Sequence, residues 1–203
     1  MRARLFLAGV GGQGTLTATN LLGLLALDQG VQVCAGEIHG MAQRGGIVES
    51  ALLLGGYQSP RIDPGEADVL LGFEPLETLR ALPYLRPGGA LISNTEPTMP
   101  IGVSIGQETY PDLQEVKSRS QECAGRAGFV PCKSLAAKAG TVQSANLVLL
   151  GALCATGIEP FSLKALHQAI QDHLPGKIVD INLRASQFGF DAAREQWGVG
   201  SRD

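Results

Sequence analysis

Four hydrogen-bonding side chains, Glu37, His39, Gln43 and Arg44, fall within eight residues, bracketed by Gly36, Gly40, Gly45 and Gly46. A carboxylate, an imidazole that can exchange a proton near neutral pH and a fixed guanidinium charge together suit binding or acid–base work on a carboxylate or phosphate. The second chemistry-bearing stretch is Gly9-Val10-Gly11-Gly12-Gln13-Gly14. Gly9, Gly11 and Gly14 fit the G-x-G-x-x-G spacing between a strand and a helix, where glycines permit a tight turn and the helix start offers unpaired N–H groups to an anion. Gly9, Gly11, Gly12, Gln13 and Gly14 are therefore candidates to face a phosphate or a partner, and Gln43, Gly45 and Gly46 join them from the other loop. Each stretch also has a plainer reading. A strand–helix turn needs glycine without any ligand, the chain has 27 glycines, and a histidine alone in a loop is more often a packing or surface residue. His167 and His173 carry no ligand-like spacing to a third residue.

The elements that must position these loops follow from hydrophobic periodicity. Arg2 to Leu7, with Leu5-Phe6-Leu7, reads as a first buried strand, and Thr15 to Asp28 reads as the helix after the glycine turn. Strands are expected at Val31 to Ala35, Ile47 to Leu54, Ala67 to Phe73, Ala90 to Ser93 and Gly128 to Lys133, with a short edge strand at Val103 to Ile105. Pro75 opens a helix at a permitted first-turn position, and Pro87-Gly88-Gly89 is expected as a turn. Asp112 to Ala124 reads as a polar surface helix with Glu115 and Arg119 at i,i+4, and Ser134 to Ala139 as a helical turn. Thr141 to Ala155 is apolar nearly all round, which marks a buried helix. Helices follow from Ser162 to His173 and from Ile178 to Gln196, the last with Asn182, Ala185 and Gly189 as a small-residue face. The alternation predicts a single domain over 1–203, a three-layer α/β/α fold with a largely parallel or mixed central sheet and a Rossmann-like first strand–turn–helix. In such a sheet the loop after the second strand lies on the edge that holds the glycine turn. The last few residues are expected to be disordered.

Composition narrows the function. The net charge of −3 and pI near 5.6 give no electrostatic case for nucleic acid. The longest apolar stretch, Leu147 to Ala155, is too short to cross a bilayer, and no leader pattern precedes the first strand. A cytoplasmic protein is expected. Cys34, Cys123, Cys132 and Cys154 form no C-x-x-C pair and no closely spaced ladder, so no iron of its own is expected. Neither a G-x-S-x-G elbow, a Walker lysine nor H-E-x-x-H is present. A complete enzyme is hard to assemble from this chain alone.

Taken together, the two loops resemble the gamma-domain family of 2-oxoacid:ferredoxin oxidoreductases. The resemblance runs through Gly9-Val10-Gly11-Gly12-Gln13-Gly14 and Gly36-Glu37-Ile38-His39-Gly40-Met41-Ala42-Gln43-Arg44-Gly45-Gly46. It continues in Asp68-Val69-Leu70-Leu71-Gly72-Phe73-Glu74-Pro75, in Asn146 to Leu153, and in Asn182, Ala185 and Gly189. The E-x-H-G-M-x-Q-R-G-G form of the second loop is similar to the indolepyruvate-type beta subunit. The resemblance implies a subunit that contributes to coenzyme A-dependent oxidative decarboxylation of an arylpyruvate, with reduction of ferredoxin. It also implies that thiamine diphosphate and 4Fe-4S clusters belong to a larger alpha subunit. The glycine turn would then face that partner or hold a phosphate of coenzyme A. Two other readings stay open at this point. One is an NAD- or nucleotide-binding module with Glu37, about 20 residues beyond the first turn, as the ribose-binding acid; the other is a non-catalytic assembly subunit.

Overall fold

The computed structural model describes residues 1–39, 46–99, 103, 105–106 and 109–197, with the side chains of residues 38 and 39 outside that description. Gln43, Arg44 and Gly45, the side chain of His39 and the tail after residue 197 thus lie outside the described residues.

The element order is β1 (Ala3–Val10), α1 (Thr15–Asp28), β2 (Val33–His39), β3 (Ile47–Leu54), β4 (Ala67–Gly72), α2 (Pro75–Ala81), β5 (Leu85–Asn94), α3 (Leu113–Cys123), β6 (Arg126–Val130), α4 (Cys132–Ala139), α5 (Ala145–Cys154), α6 (Leu163–His173) and α7 (Gly176–Trp197). Short 3-10 turns precede β5 and α5. The six strands form one mixed sheet in the order β2-β3-β1-β4-β5-β6. β1, β4, β5 and β6 run parallel, while β3 is antiparallel to both β1 and β2.

Alternation along the central strands sends side chains into two cores. Leu5, Leu7, Leu52, Leu54, Val69 and Leu71 face α1 and the C-terminal helices. Phe6, Leu53, Leu70 and Leu91 face the thinner layer that includes α2, Leu82 and Ile62. The sheet is thus covered on both faces, as the alternation of elements requires. α5 is buried over its whole length after Ala145, and it approaches α7 until the backbones touch. A Cβ on Gly151 would lie 1.8 Å from the Ser186 carbonyl oxygen, and one on Gly189 would lie 1.8 Å from that of Val148. The small-residue face of the last helix is therefore a packing device.

Several expected boundaries move, each through a partner distant in sequence. β2 runs from Val33 to His39, so Glu37 and His39 stand on a strand that pairs with Ser50 and Val48 rather than in a loop. Gly36 can stay in that strand because Pro60 packs where its side chain would be. β5 begins at Leu85, and the expected turn at Pro87-Gly88-Gly89 becomes an irregularity in its pairing with β4. β6 ends at Val130 because Asn94 accepts from the Cys132 N–H at 3.1 Å and starts α4 there. Val103 is helical and Ile105 lies in a turn, closed by a bond from the Gly106 N–H to the Val103 carbonyl, so no edge strand forms among the described residues there.

Candidate functional site

The ends of β1, β4 and β5 and the starts of α1, α4 and α5 enclose a cavity of about 320 Å³. It lies beyond the carboxyl ends of the parallel strands, between β1, whose chain continues to α1 on one face, and β4, whose chain continues to α2 on the other. That is the switch point where α/β sheets open a crevice for ligands.

The glycine turn forms one wall. Gly11, Gly12 and Gln13 line the cavity. Gln13 fixes the turn: its Oε1 accepts from the Val10 N–H at 2.9 Å, and its Nε2 donates to the Phe73 carbonyl and to Thr98 Oγ1, both at 3.1 Å. The glycines divide into two kinds. A Cβ on Gly9 would lie 2.8 Å from the Phe73 Cβ, and one on Gly14 would lie 2.7 Å from Asn146 Nδ2, so both are required by neighbouring protein. Gly12, at φ 96°, meets nothing within 4 Å and leaves bare backbone toward open space. It is thus well placed to let a ligand approach the chain.

The opposite wall is built by residues that spacing alone did not single out. Asn94 ends β5, with Nδ2 donating to the Phe73 and Glu96 carbonyls and Oδ1 accepting from the Glu96 and Cys132 N–H groups. Glu96 accepts from the Ser134 N–H at 2.9 Å, so the start of α4 is already supplied with acceptors. Lys133 lines the cavity and donates to the Pro97 carbonyl. Asn146 in the first turn of α5 accepts from the Leu147 N–H at 3.0 Å and reaches toward the Gly14 carbonyl. Val142 and Gln143 also line the site, and Leu149 adds an apolar wall.

The electrostatics favour an anion. Neither α1 nor α5 has an acidic residue in its first turn, so their helix-start charges, each worth about half an elementary charge, are not neutralised by a carboxylate. Lys133 adds a full charge beside them. Thr15, one residue after the turn, is buried with its hydroxyl lacking a hydrogen-bond partner. Cys132 cannot serve as a ready nucleophile, because burial, reinforced by Glu96, pushes its thiol far above the usual range. Among the described residues, no group of three His, Cys, Asp or Glu side chains could hold a metal ion, and no helix is long and apolar enough to cross a membrane.

The second predicted cluster reaches the same sheet edge by a different route. β2 and β3 are joined as an antiparallel pair, and the Gly11 N–H donates to the Gly46 carbonyl at 2.9 Å, so the exit of the 40–46 segment is bound to the glycine turn. Glu37, however, lines a separate cavity of about 350 Å³ with Phe6, Glu49 and Tyr84. β3 stands between its strand and β1, about 10 Å away at two strand spacings. A dinucleotide fold needs its ribose-binding acid on the strand next to β1. Glu37 does not occupy that place, and the NAD reading loses its second anchor. In the Glu74-Pro75 pair, the buried Glu74 carboxylate accepts from the Leu76 and Glu77 N–H groups and Pro75 takes the first helical position.

Fold and cavity together define a doubly wound α/β domain with an anion-receptive crevice at the end of its sheet. The chain belongs to the pyruvate ferredoxin/flavodoxin oxidoreductase family, whose model matches residues 4–192. It is 42% identical over 195 residues to the indolepyruvate oxidoreductase subunit IorB of Thermococcus kodakarensis, covering 95% of this chain and 96% of that one. It shares its fold with the gamma subunit of a keto/oxoacid ferredoxin oxidoreductase from Geobacter sulfurreducens, at 23% identity and a TM-score of 0.68, covering 94% of this chain and 98% of the other. A 2-oxoglutarate:ferredoxin oxidoreductase from Magnetococcus marinus, solved with 2-oxoglutarate, coenzyme A and succinyl-CoA, contains the same fold at 18% identity and a TM-score of 0.70. There the match covers 96% of this chain but 31% of the longer one.

Proposed function

We propose that this chain is the smaller subunit of an indolepyruvate-type ferredoxin oxidoreductase, and that its glycine-turn cavity holds a phosphate-bearing part of coenzyme A. The reaction joins an arylpyruvate to coenzyme A, releases carbon dioxide and passes two electrons to ferredoxin. Thiamine diphosphate and the 4Fe-4S clusters, which supply the decarboxylation and electron transfer, fit the larger subunit: the four cysteines here are scattered and Cys132 and Cys154 are buried. The chain acts with that partner, and a cytoplasmic location suits the reading.

The observation that carries the coenzyme A assignment is the meeting of two helix starts without acidic residues and Lys133 at one cavity beside the bare backbone of Gly12. These groups bind and orient a phosphate, while Leu149 and Val142 offer apolar contact to the rest of the ligand. From the sequence, Glu37, His39, Gln43, Arg44, Gly45 and Gly46 are assigned to the same reading, with Arg44 as a fixed charge for a carboxylate or phosphate.

The test is an anaerobic assay with indolepyruvate, coenzyme A and a ferredoxin-like acceptor, on each subunit alone and on the mixture. Turnover is expected only in the mixture. Gly12→Val and Lys133→Gln are each expected to raise the KM for coenzyme A about tenfold or more while the complex still forms, a loss of about 1.4 kcal/mol per tenfold. Unchanged coenzyme A affinity in both variants sinks the cavity assignment. Intact turnover after replacing Glu37, His39 and Arg44 would identify this side as assembly surface.

A further inference from the structure

The two edges of the sheet are treated differently. At the β6 edge, the Phe129 N–H donates to Gln196 Oε1 at 2.9 Å and Gln196 Nε2 donates back to the Phe129 carbonyl, so one amide side chain stands in for a neighbouring strand. Trp197 Nε1 donates to the Ala127 carbonyl at 3.1 Å and covers the next position. Among the described residues, the first half of β2 has no such cover. The Gly11 N–H to Gly46 carbonyl bond turns the even-numbered residues of β3 toward β1, and the Gly55 N–H to Gln32 carbonyl bond turns the odd-numbered ones toward β2. By the alternation of an antiparallel ladder, the amides and carbonyls of Val33 and Ala35 then point outward. Among the described residues they meet no partner. The strand carries no Pro, Lys or Arg, the residues by which proteins usually blunt an open edge.

Beside this edge, on the face of the sheet shared by Cys34 and Gly36, lies the 350 Å³ cavity with Phe6, Pro60, Ile62 and Tyr84 in its lining. Its walls are mostly apolar, yet the half-buried Glu49 carboxylate lines it and meets no partner among the described residues. Burial pushes that carboxylate above its ordinary range, as expected when no cation offsets desolvation. Arg61 lines the same cavity, but its guanidinium is engaged by Asp63 at 2.8 Å.

We infer that β2 is a docking edge, on which an extended segment of the larger subunit pairs with Val33 and Ala35 and places a Lys or Arg side chain against Glu49. Main-chain pairing supplies affinity, and the alternate side chain entering a cavity supplies specificity, the logic of strand addition. Charge selects the occupant: a carboxylate with no partner among the described residues, in a cavity with Phe6, Ile62 and Tyr84, calls for a cation with a long apolar stem. This inference rests on the subunit reading above.

The test uses the full chain and its larger subunit. Backbone amide exchange at Val33 and Ala35 is expected to slow on assembly. Ala35→Pro removes an outward N–H, and Glu49→Gln removes the charge at constant shape. Each is expected to weaken the dissociation constant for the larger subunit at least tenfold, with the melting temperature of the free chain preserved. Should Ala35→Pro fail to fold, Glu49→Gln and the exchange measurement still decide. Wild-type assembly with unchanged exchange at these amides, or with Glu49→Gln binding as tightly as the wild type, overturns the docking edge and leaves the subunit reading standing. A wild-type chain that does not bind the larger subunit overturns both. A free-chain dimer that Ala35→Pro dissolves, with the larger subunit unaffected, assigns the edge to a second copy and overturns the proposal.

Discussion

Gln13 Nε2 donates to the Phe73 carbonyl at 3.1 Å, so a single side chain ties the turn after β1 to the end of β4. The same amide accepts from Val10 and donates to Thr98. Replacing it removes three part-buried hydrogen bonds, although the Phe73 carbonyl keeps Asn94 as a donor. Gln13→Ala is expected to cost about 2–3 kcal/mol, at roughly 1 kcal/mol per hydrogen bond lost. Urea titration of the isolated chain measures this; a cost below about 0.5 kcal/mol would mean that water replaces the brace without loss.

Tyr110 shows how a buried acid is kept satisfied. Its hydroxyl donates to Glu74, which also accepts from the Leu76, Glu77 and Thr98 N–H groups and is fully buried. Tyr110→Phe is expected to cost about 2 kcal/mol, the scale of a hydrogen bond to a charged group. Burial, then the Glu74 carboxylate, hold the Tyr110 phenol well above its ordinary range. Below about pH 10 the folded and unfolded chains both keep this proton, and its contribution to stability is fully present. As pH rises further the unfolded chain releases it first, and stability falls. Urea midpoints between pH 8 and 11 should therefore decline in the wild type and decline less in Tyr110→Phe.

The cysteines make a chemical prediction. Cys123 is exposed, whereas Cys132 and Cys154 are buried. Burial pushes the Cys154 thiol up to about 12, which leaves about one thiolate in ten thousand at pH 8. Iodoacetamide at pH 8 is expected to alkylate Cys123 readily, and Cys132 and Cys154 only after denaturation. Mass spectrometry of the labelled chain reads the outcome, and early modification of Cys132 would mean that the cavity beside it opens to solvent.

At the α5–α7 contact, nothing can yield to an added methyl group except backbone. Gly189→Ala is expected to cost about 3 kcal/mol, the upper part of the usual range for overpacking. For a chain of this size that lowers the melting temperature by roughly 10 °C. Calorimetry on Gly189→Ala beside Gly176→Ala, where a Cβ would meet nothing within 4 Å, separates packing from helix propensity.

The fold was largely legible because its strongest signals are local. Leu5-Phe6-Leu7, Leu52-Leu53-Leu54 and the apolar run of α5 each bury a continuous stripe, and Ser162 and Asp112 cap the helices they precede. What escaped was nonlocal. The start of α4 depends on Asn94 and Glu96, and the extension of β2 past Gly36 depends on Pro60. Neither neighbour leaves a mark in the local pattern. Nor does periodicity reveal that β3 enters between β1 and β2.

The candidate site was legible in part for the same reason. G-x-G-x-x-G located the turn through Gly9, Gly11 and Gly14, yet the spacing does not distinguish these from Gly12, and space around each Cβ is what separates the packing of Gly9 and Gly14 from the access at Gly12. Lys133, Asn94 and Gln143 sit in unrelated segments and reach the cavity only through the topology. Asn146 already stood in the Asn146 to Leu153 run, where its place beside seven apolar residues concealed its role against Gly14.

The position of β3 also bears on how the chain is made. β2 and β3 pair with each other over a short separation, but β1 has both of its neighbours, β3 and β4, later in the sequence. During synthesis the strand that carries Leu5 and Leu7 at full burial emerges before both of its neighbours, and it is completed on its second side only when Val69 to Gly72 arrive. Such nonlocal pairing is slow, and it leaves an apolar strand waiting in the nascent chain. The strand that ends in the glycine turn is therefore also the one most exposed to mispairing before the protein is whole.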